Sequence, residues 1–165
     1  MKYFVAVTVV LISCSCAARL GRVNDRRSAQ LTSETRRLAG IKDPLDRIQH
    51  YIRISQLLIG SVGEAARENN YEMMGTLLDE YVEVLRSAEE TLVHSGHDPA
   101  EEPEGFTDLE LALREEARRL QDITRSLRVD DRPSVEVALD TAVSIREELL
   151  RLIFPQAAAA KHFRH

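Results

Sequence analysis

Tryptophan is absent, and four tyrosines and four phenylalanines are the only aromatic side chains among 165 residues. Cysteine occurs twice, at Cys14 and Cys16, which is too few for a disulfide scaffold. Five prolines and seven glycines do not supply the turns of a small β-protein. No apolar run reaches the ~20 residues that a membrane-spanning helix needs. The chain also lacks HExxH, GxSxG, a Walker loop and GxGxxG, so the common hydrolytic and nucleotide-binding signatures are missing. None of the five histidines has a glutamate three residues before it, which excludes the Glu-x-x-His pairs of di-iron bundles. What remains is 44% apolar and 30% charged. That is an ordinary globular composition and about one domain's worth of chain.

The first eighteen residues read as an export segment. Lys2 gives a positive start, Tyr3 to Ile12 an apolar stretch, and Cys16-Ala17-Ala18 a small-x-small cleavage site. This pattern predicts a signal peptide over 1–18, a mature chain beginning at Arg19, and a periplasmic or extracellular location. Leu11-Ile12-Ser13-Cys14 resembles the lipobox of bacterial lipoprotein signals. That resemblance implies acylation of Cys14 and a lipid anchor. Retention of the segment as an uncleaved anchor is a third alternative. In every case both cysteines lie outside the folded domain, so its stability must come from an apolar core.

Charge is unevenly spread. Residues 19–42 carry seven basic side chains against Asp25 and Glu34, a net charge of +5. Residues 43–154 carry twelve arginines against twenty-five carboxylates, a net charge of −13. An acidic body repels phosphate and argues against nucleic acid as a partner. The basic arm 19–42 suits either peripheral contact with an anionic membrane surface or a plainer fate, folding back onto the acidic body or staying solvated. The second is the simpler expectation, because the charges are scattered.

From Asp43 onward the apolar residues step by three and four. Asp43-Pro44 is a helix start, and Leu45, Ile48, Ile52, Ser55, Ile59, Val62 and Ala66 form a first seam. Met74, Leu78, Tyr81, Leu85, Ala88 and Leu92 form a second, closed by Gly96 and Asp98-Pro99. Thr107-Asp108-Leu109-Glu110 has the form of a capping box, which predicts a third helix with Thr107 as N-cap and a seam through Leu109, Leu113, Glu116, Leu120, Ile123 and Leu127. Pro133 restarts helix, with Val135, Ala138, Ala142, Ile145, Leu149 and Leu152 inward. Flanking Leu139, Val143, Leu150, Ile153 and Phe154 make this last helix the expected most buried one.

The expected fold is therefore all-α: an up-down-up-down antiparallel four-helix bundle over 43–155 with coiled-coil-like seams. A short helix over residues 24–38 is expected in the basic arm, with Leu31, Thr35 and Leu38 on one side. Residues 156–165 are expected to form a disordered tail.

Few residues suggest chemistry. His94, His97 and Asp98 could together ligate zinc or copper, but a stable site needs three or four ligands, and histidine at a helix end also suits the helix dipole. Met73 and Met74 could serve a copper or a haem iron, although methionine on a seam ordinarily fills a core. Glu116 interrupts the third seam. An unpaired buried charge is costly, so it is expected to turn outward and leave Ala117 to pack. Arg118, Arg119 and Arg146 are its alternative partners, and a Glu116 facing a cavity would be the first ligand contact to consider. The expectation is no metal, no cofactor and no enzyme. The expected role is an exported helical bundle that binds a protein or envelope partner, with a small-ligand or metal-binding bundle of the cell envelope as the alternative.

Overall fold

Asp43 begins the first long helix as the sequence predicts. In the computed structural model, which describes residues 26–155, its carboxylate accepts from the N–H groups of Leu45 (2.9 Å) and Asp46 (3.0 Å), and Pro44 fills the first helical position. Two N–H groups of the first turn are thereby satisfied, and Pro44 has none to satisfy. The regular elements among the described residues are all helical. They are α1 (residues 26–38), α2 (Pro44–Arg67), α3 (Tyr71–Val93), α4 (Glu104–Ser126) and α5 (Pro133–Ile153), with a 3-10 turn at Val129–Asp131 before α5. The leader 1–18, Cys14 and the tail 156–165 lie outside the described residues.

The link from α2 to α3 is three residues long and closed by local chemistry. Asn69 takes the left-handed conformation (φ 55°). Its N–H donates to the Ala66 carbonyl, and that of Asn70 to the Ala65 carbonyl (2.9 Å). This is a Schellman closure with asparagine in the place glycine usually holds. The Asn70 side chain then accepts from Met73 N–H and starts α3. One residue pair thus ends one helix and begins the next.

α4 departs from expectation at its start. It begins at Glu104, one turn before Thr107, and no side chain caps it. Thr107 is already inside the helix, its N–H donating to the Pro103 carbonyl (2.8 Å). Phe106 explains the extra turn: its ring is buried in the core and pulls residues 104–106 into helix. Gly105 permits that approach, since a Cβ there would stand 2.7 Å from the Leu45 side chain.

α2 packs on α3 and α4, and α5 packs on α3 and α4, while α3 and α4 barely meet. The seams named from sequence line the common core: Ile48, Ile59, Leu78, Leu85, Leu113, Leu120 and Leu149 are all almost fully buried. α2 and α4 each bury nine residues against five in α5, so the last helix is not the most buried one that its flanking residues suggest. For α2 the reason is α1. It lies along α2 with Leu31 and Leu38 against the core. Arg27 pairs with Glu64 (2.7 Å), and Glu34 meets His50 (2.6 Å) and Arg53 (3.7 Å). α2 is therefore covered on a further side, whereas Phe154 at the end of α5 is exposed. These contacts fold part of the basic arm back onto the body.

Two outcomes test this packing. Leu85→Asp and Leu149→Asp each place a charge in a sealed seam at a cost of several kcal/mol, and circular dichroism should show loss of cooperative melting in both. Asn69→Val should lower stability by about 1–2 kcal/mol through the left-handed backbone, while Asn69→Gly should not, as read from denaturant midpoints.

Candidate functional site

Glu116 sits at the middle of α4 and points into the core, with a relative exposure of 1%. The expected outward turn does not occur: Ala117 is buried too, because both positions fall within the wide inward stripe of α4. Arginine does not neutralise it either, since Arg146 goes to Glu110, at 2.7 Å. Two hydroxyls receive it instead. Ser55 Oγ of α2 lies 2.7 Å from Glu116 Oε1, and the Tyr81 hydroxyl of α3 donates to Oε2 at 3.0 Å. All three residues occupy the midpoints of their helices, so the polar contacts form one layer at the waist of an otherwise apolar core.

The hydrogen count favours a protonated carboxyl. Ser55 Oγ also lies 2.9 Å from the Ile52 carbonyl oxygen, and a hydroxyl has one proton to give. When Glu116 carries a proton on Oε1, it donates to Ser55, Ser55 donates to Ile52, and Tyr81 donates to Oε2. Every polar group is then satisfied. Ionised Glu116 competes with the Ile52 carbonyl for the Ser55 proton and holds a charge in an apolar layer. Burial accordingly pushes the Glu116 carboxyl up to about 7, against the lowering influence of the Ser55 and Tyr81 hydrogen bonds and the Arg119 charge. Burial and the neighbouring carboxylate also push the Tyr81 hydroxyl up, so Tyr81 remains a donor throughout the physiological range.

A second buried carboxylate, Glu110, is handled differently. Arg146 of α5 donates to it at 2.7 Å and Arg114 at 2.8 and 3.0 Å. It is therefore an ion-paired link between α4 and α5, not the closing residue of a capping box. Gln49 of α2 donates to Asp108 of α4 at 2.6 Å.

The residues first considered as metal ligands do not come together. His94 Nδ1 donates to the Glu90 carbonyl (2.9 Å) at the end of α3. His97 pairs with Glu102 across the loop, and Asp98 accepts from the Ala100 N–H (2.8 Å). Among the described residues no three His, Cys, Asp or Glu side chains converge as a metal site. Met74 is sealed in the core and Met73 is half exposed.

One surface feature among the described residues is one the sequence reading missed. A groove of about 650 Å³ runs over α3 beside α1, with Leu31, Ile54, Leu58, Val82, Val84 and Val137 as its apolar lining and Asp79, Glu80, Glu83 and Arg86 at its edges. It continues between α3 and α5 into a shallower cleft of about 460 Å³ that shares Arg86 and Val137 and adds Glu89 and Asp140. Val82, Val84 and Val137 lie off their helix seams, and this was the available signal: apolar residues on a face with no expected neighbour. Comparison with protein-family models, with curated proteins and with solved structures finds no match for the chain.

The waist layer gives a signed pH dependence. The folded value of Glu116 lies near 7 against an ordinary 4.5. Its contribution is complete below pH 4.5 and is lost as pH rises through 7, by roughly 3 kcal/mol in all. Glu116→Gln keeps a donor and an acceptor without the charge. Urea midpoints between pH 4.5 and 8 should show the variant gaining on the wild type as pH rises. A constant difference across that range would refute a protonated Glu116.

Proposed function

We propose that this chain is an exported, non-enzymatic helical bundle that acts by binding a protein of the cell envelope through the groove over α3. The observation that carries the reading is the groove itself, in which half-buried Leu31, Val82 and Val84 and exposed Val137 lie over the buried side chains of Ile54 and Leu58. Val137 is 63% exposed within it. The export segment 1–18 supports the envelope location, with cleavage after Ala18, acylation at Cys14 or retention as an uncleaved anchor as its outcomes. Among the described residues no helix is long and apolar enough to cross a membrane, so anchoring rests on the leader or on the basic arm.

We also infer that α2 to α5 alternate in direction. The short links between α2 and α3 and between α4 and α5 support this. So do the contacts Gln49–Asp108 and Ser55–Glu116, whose partners advance together along α2 and α4. In that arrangement the connection from α3 to α4 crosses the diagonal of the bundle.

A small-ligand site between helices is the alternative and has less support. Its first contact would be Glu116, whose carboxyl already meets Ser55 and Tyr81.

A photo-reactive residue at Val137 should form a discrete higher-mass adduct in native cells, while one at exposed Arg118 on α4 should not. Equal labelling from both positions would defeat the reading. Mass spectrometry of the N-terminus from native cells would show whether the chain begins at Arg19, at an acylated Cys14 or with the leader retained.

A further inference from the structure

We infer that the groove takes a single amphipathic helix with a basic outer face, supplied by the partner and laid across α3 between α1 and α5. This rests on the groove being the binding surface. The walls argue for a helix. They are themselves helices, whose backbone groups are bonded internally, so an extended peptide would find no ladder to join. An incoming helix satisfies its own backbone and needs only an apolar stripe against Val82, Val84 and Val137. α1 already shows the mode of docking. It lies on the neighbouring side of the bundle through Leu31 and Leu38, with polar contacts at its margins.

Charge argues for a basic face. α3 carries Glu72, Asp79, Glu80, Glu83, Glu89 and Glu90 against Arg86 alone. Arg86 reaches only Glu83, at 3.5 Å. Asp79, Glu80, Glu89 and Asp140 border the groove and its continuation with no ion-pair partner among the described residues. The acidity is greater on this side: the exposed surface of α4 across the bundle is nearly balanced, with Arg114, Arg118, Arg119 and Arg125 against Glu104, Glu115 and Asp122. Burial and the like charge of Glu148 raise the Glu89 carboxyl, a strain that an incoming cation would relieve. Lysine or arginine on the partner helix would meet these acids at the rim, where such charges govern specificity and on-rate.

The probe is a fluorescein-labelled 18-residue helix-forming peptide with leucine and isoleucine on one face and lysine and arginine on the other. Its control has glutamate at every basic position. Fluorescence anisotropy with the full mature chain should show saturable binding of the basic peptide, weakened by salt. Asp79→Lys with Glu80→Lys should reduce affinity at least tenfold, and so should Val137→Asp. These positions are exposed, and circular dichroism checks that the variants keep their fold. If the glutamate peptide binds as well, or if the charge reversals change nothing while Val137→Asp still weakens binding, the basic-helix assignment is overturned and the groove reading stands. If neither peptide binds, both are overturned. Stronger binding to anionic phosphatidylglycerol vesicles than to the basic peptide, insensitive to Val137→Asp, would also overturn it in favour of a membrane surface.

Discussion

A helix whose neighbours lie on three sides must bury apolar side chains around much of its circumference, and α2 is under that constraint. α3 and α4 cover its seam, and α1 covers a further face through Leu31, Leu38 and the Glu34–His50 contact. Its run of isoleucines and leucines, with Tyr51, Ile54 and Leu58 beside the main seam, is the sequence form of this demand. α5 is less enclosed. Its inward positions include Ala138 and Ala142, and its outer side is left to solvent or to the groove.

The two buried carboxylates of α4 solve one problem in opposite ways. Glu110 lies at the edge of the α4–α5 contact, where arginine side chains reach it and keep their heads near water. Glu116 lies at the waist, with Ser55 and Tyr81 as its partners and the proton as the cheaper means of removing charge. A polar layer of this kind contributes less than leucine would. It fixes α2, α3 and α4 in one axial register, because a slip of one turn would leave the carboxyl without its hydroxyls.

Several features were legible because they depend on neighbours in the chain. The Asp43-Pro44 start, the Pro133 restart and the four seams rest on backbone geometry and helical period. The short helix of the arm was legible from Leu31, Thr35 and Leu38. The start of α4 was not, since Thr107 to Glu110 satisfies the local rule for a cap and is overridden by burial of Phe106. Burial of one aromatic ring outweighs a cap worth about 1 kcal/mol.

The direction of Glu116 and the groove belong to a different class of fact. Positions 116 and 117 fall in the same inward stripe, and periodicity cannot choose between them. The choice is made by Ser55 and Tyr81, which lie 61 and 35 residues away along the chain. The sequence alone determined where helices start, how long they run and which side of each is apolar, because those depend on residues three and four apart. Only the tertiary structure decided which helices become neighbours, which carboxyl is sealed between two hydroxyls and which apolar face stays uncovered. Each of these depends on groups that meet only once the helices have packed.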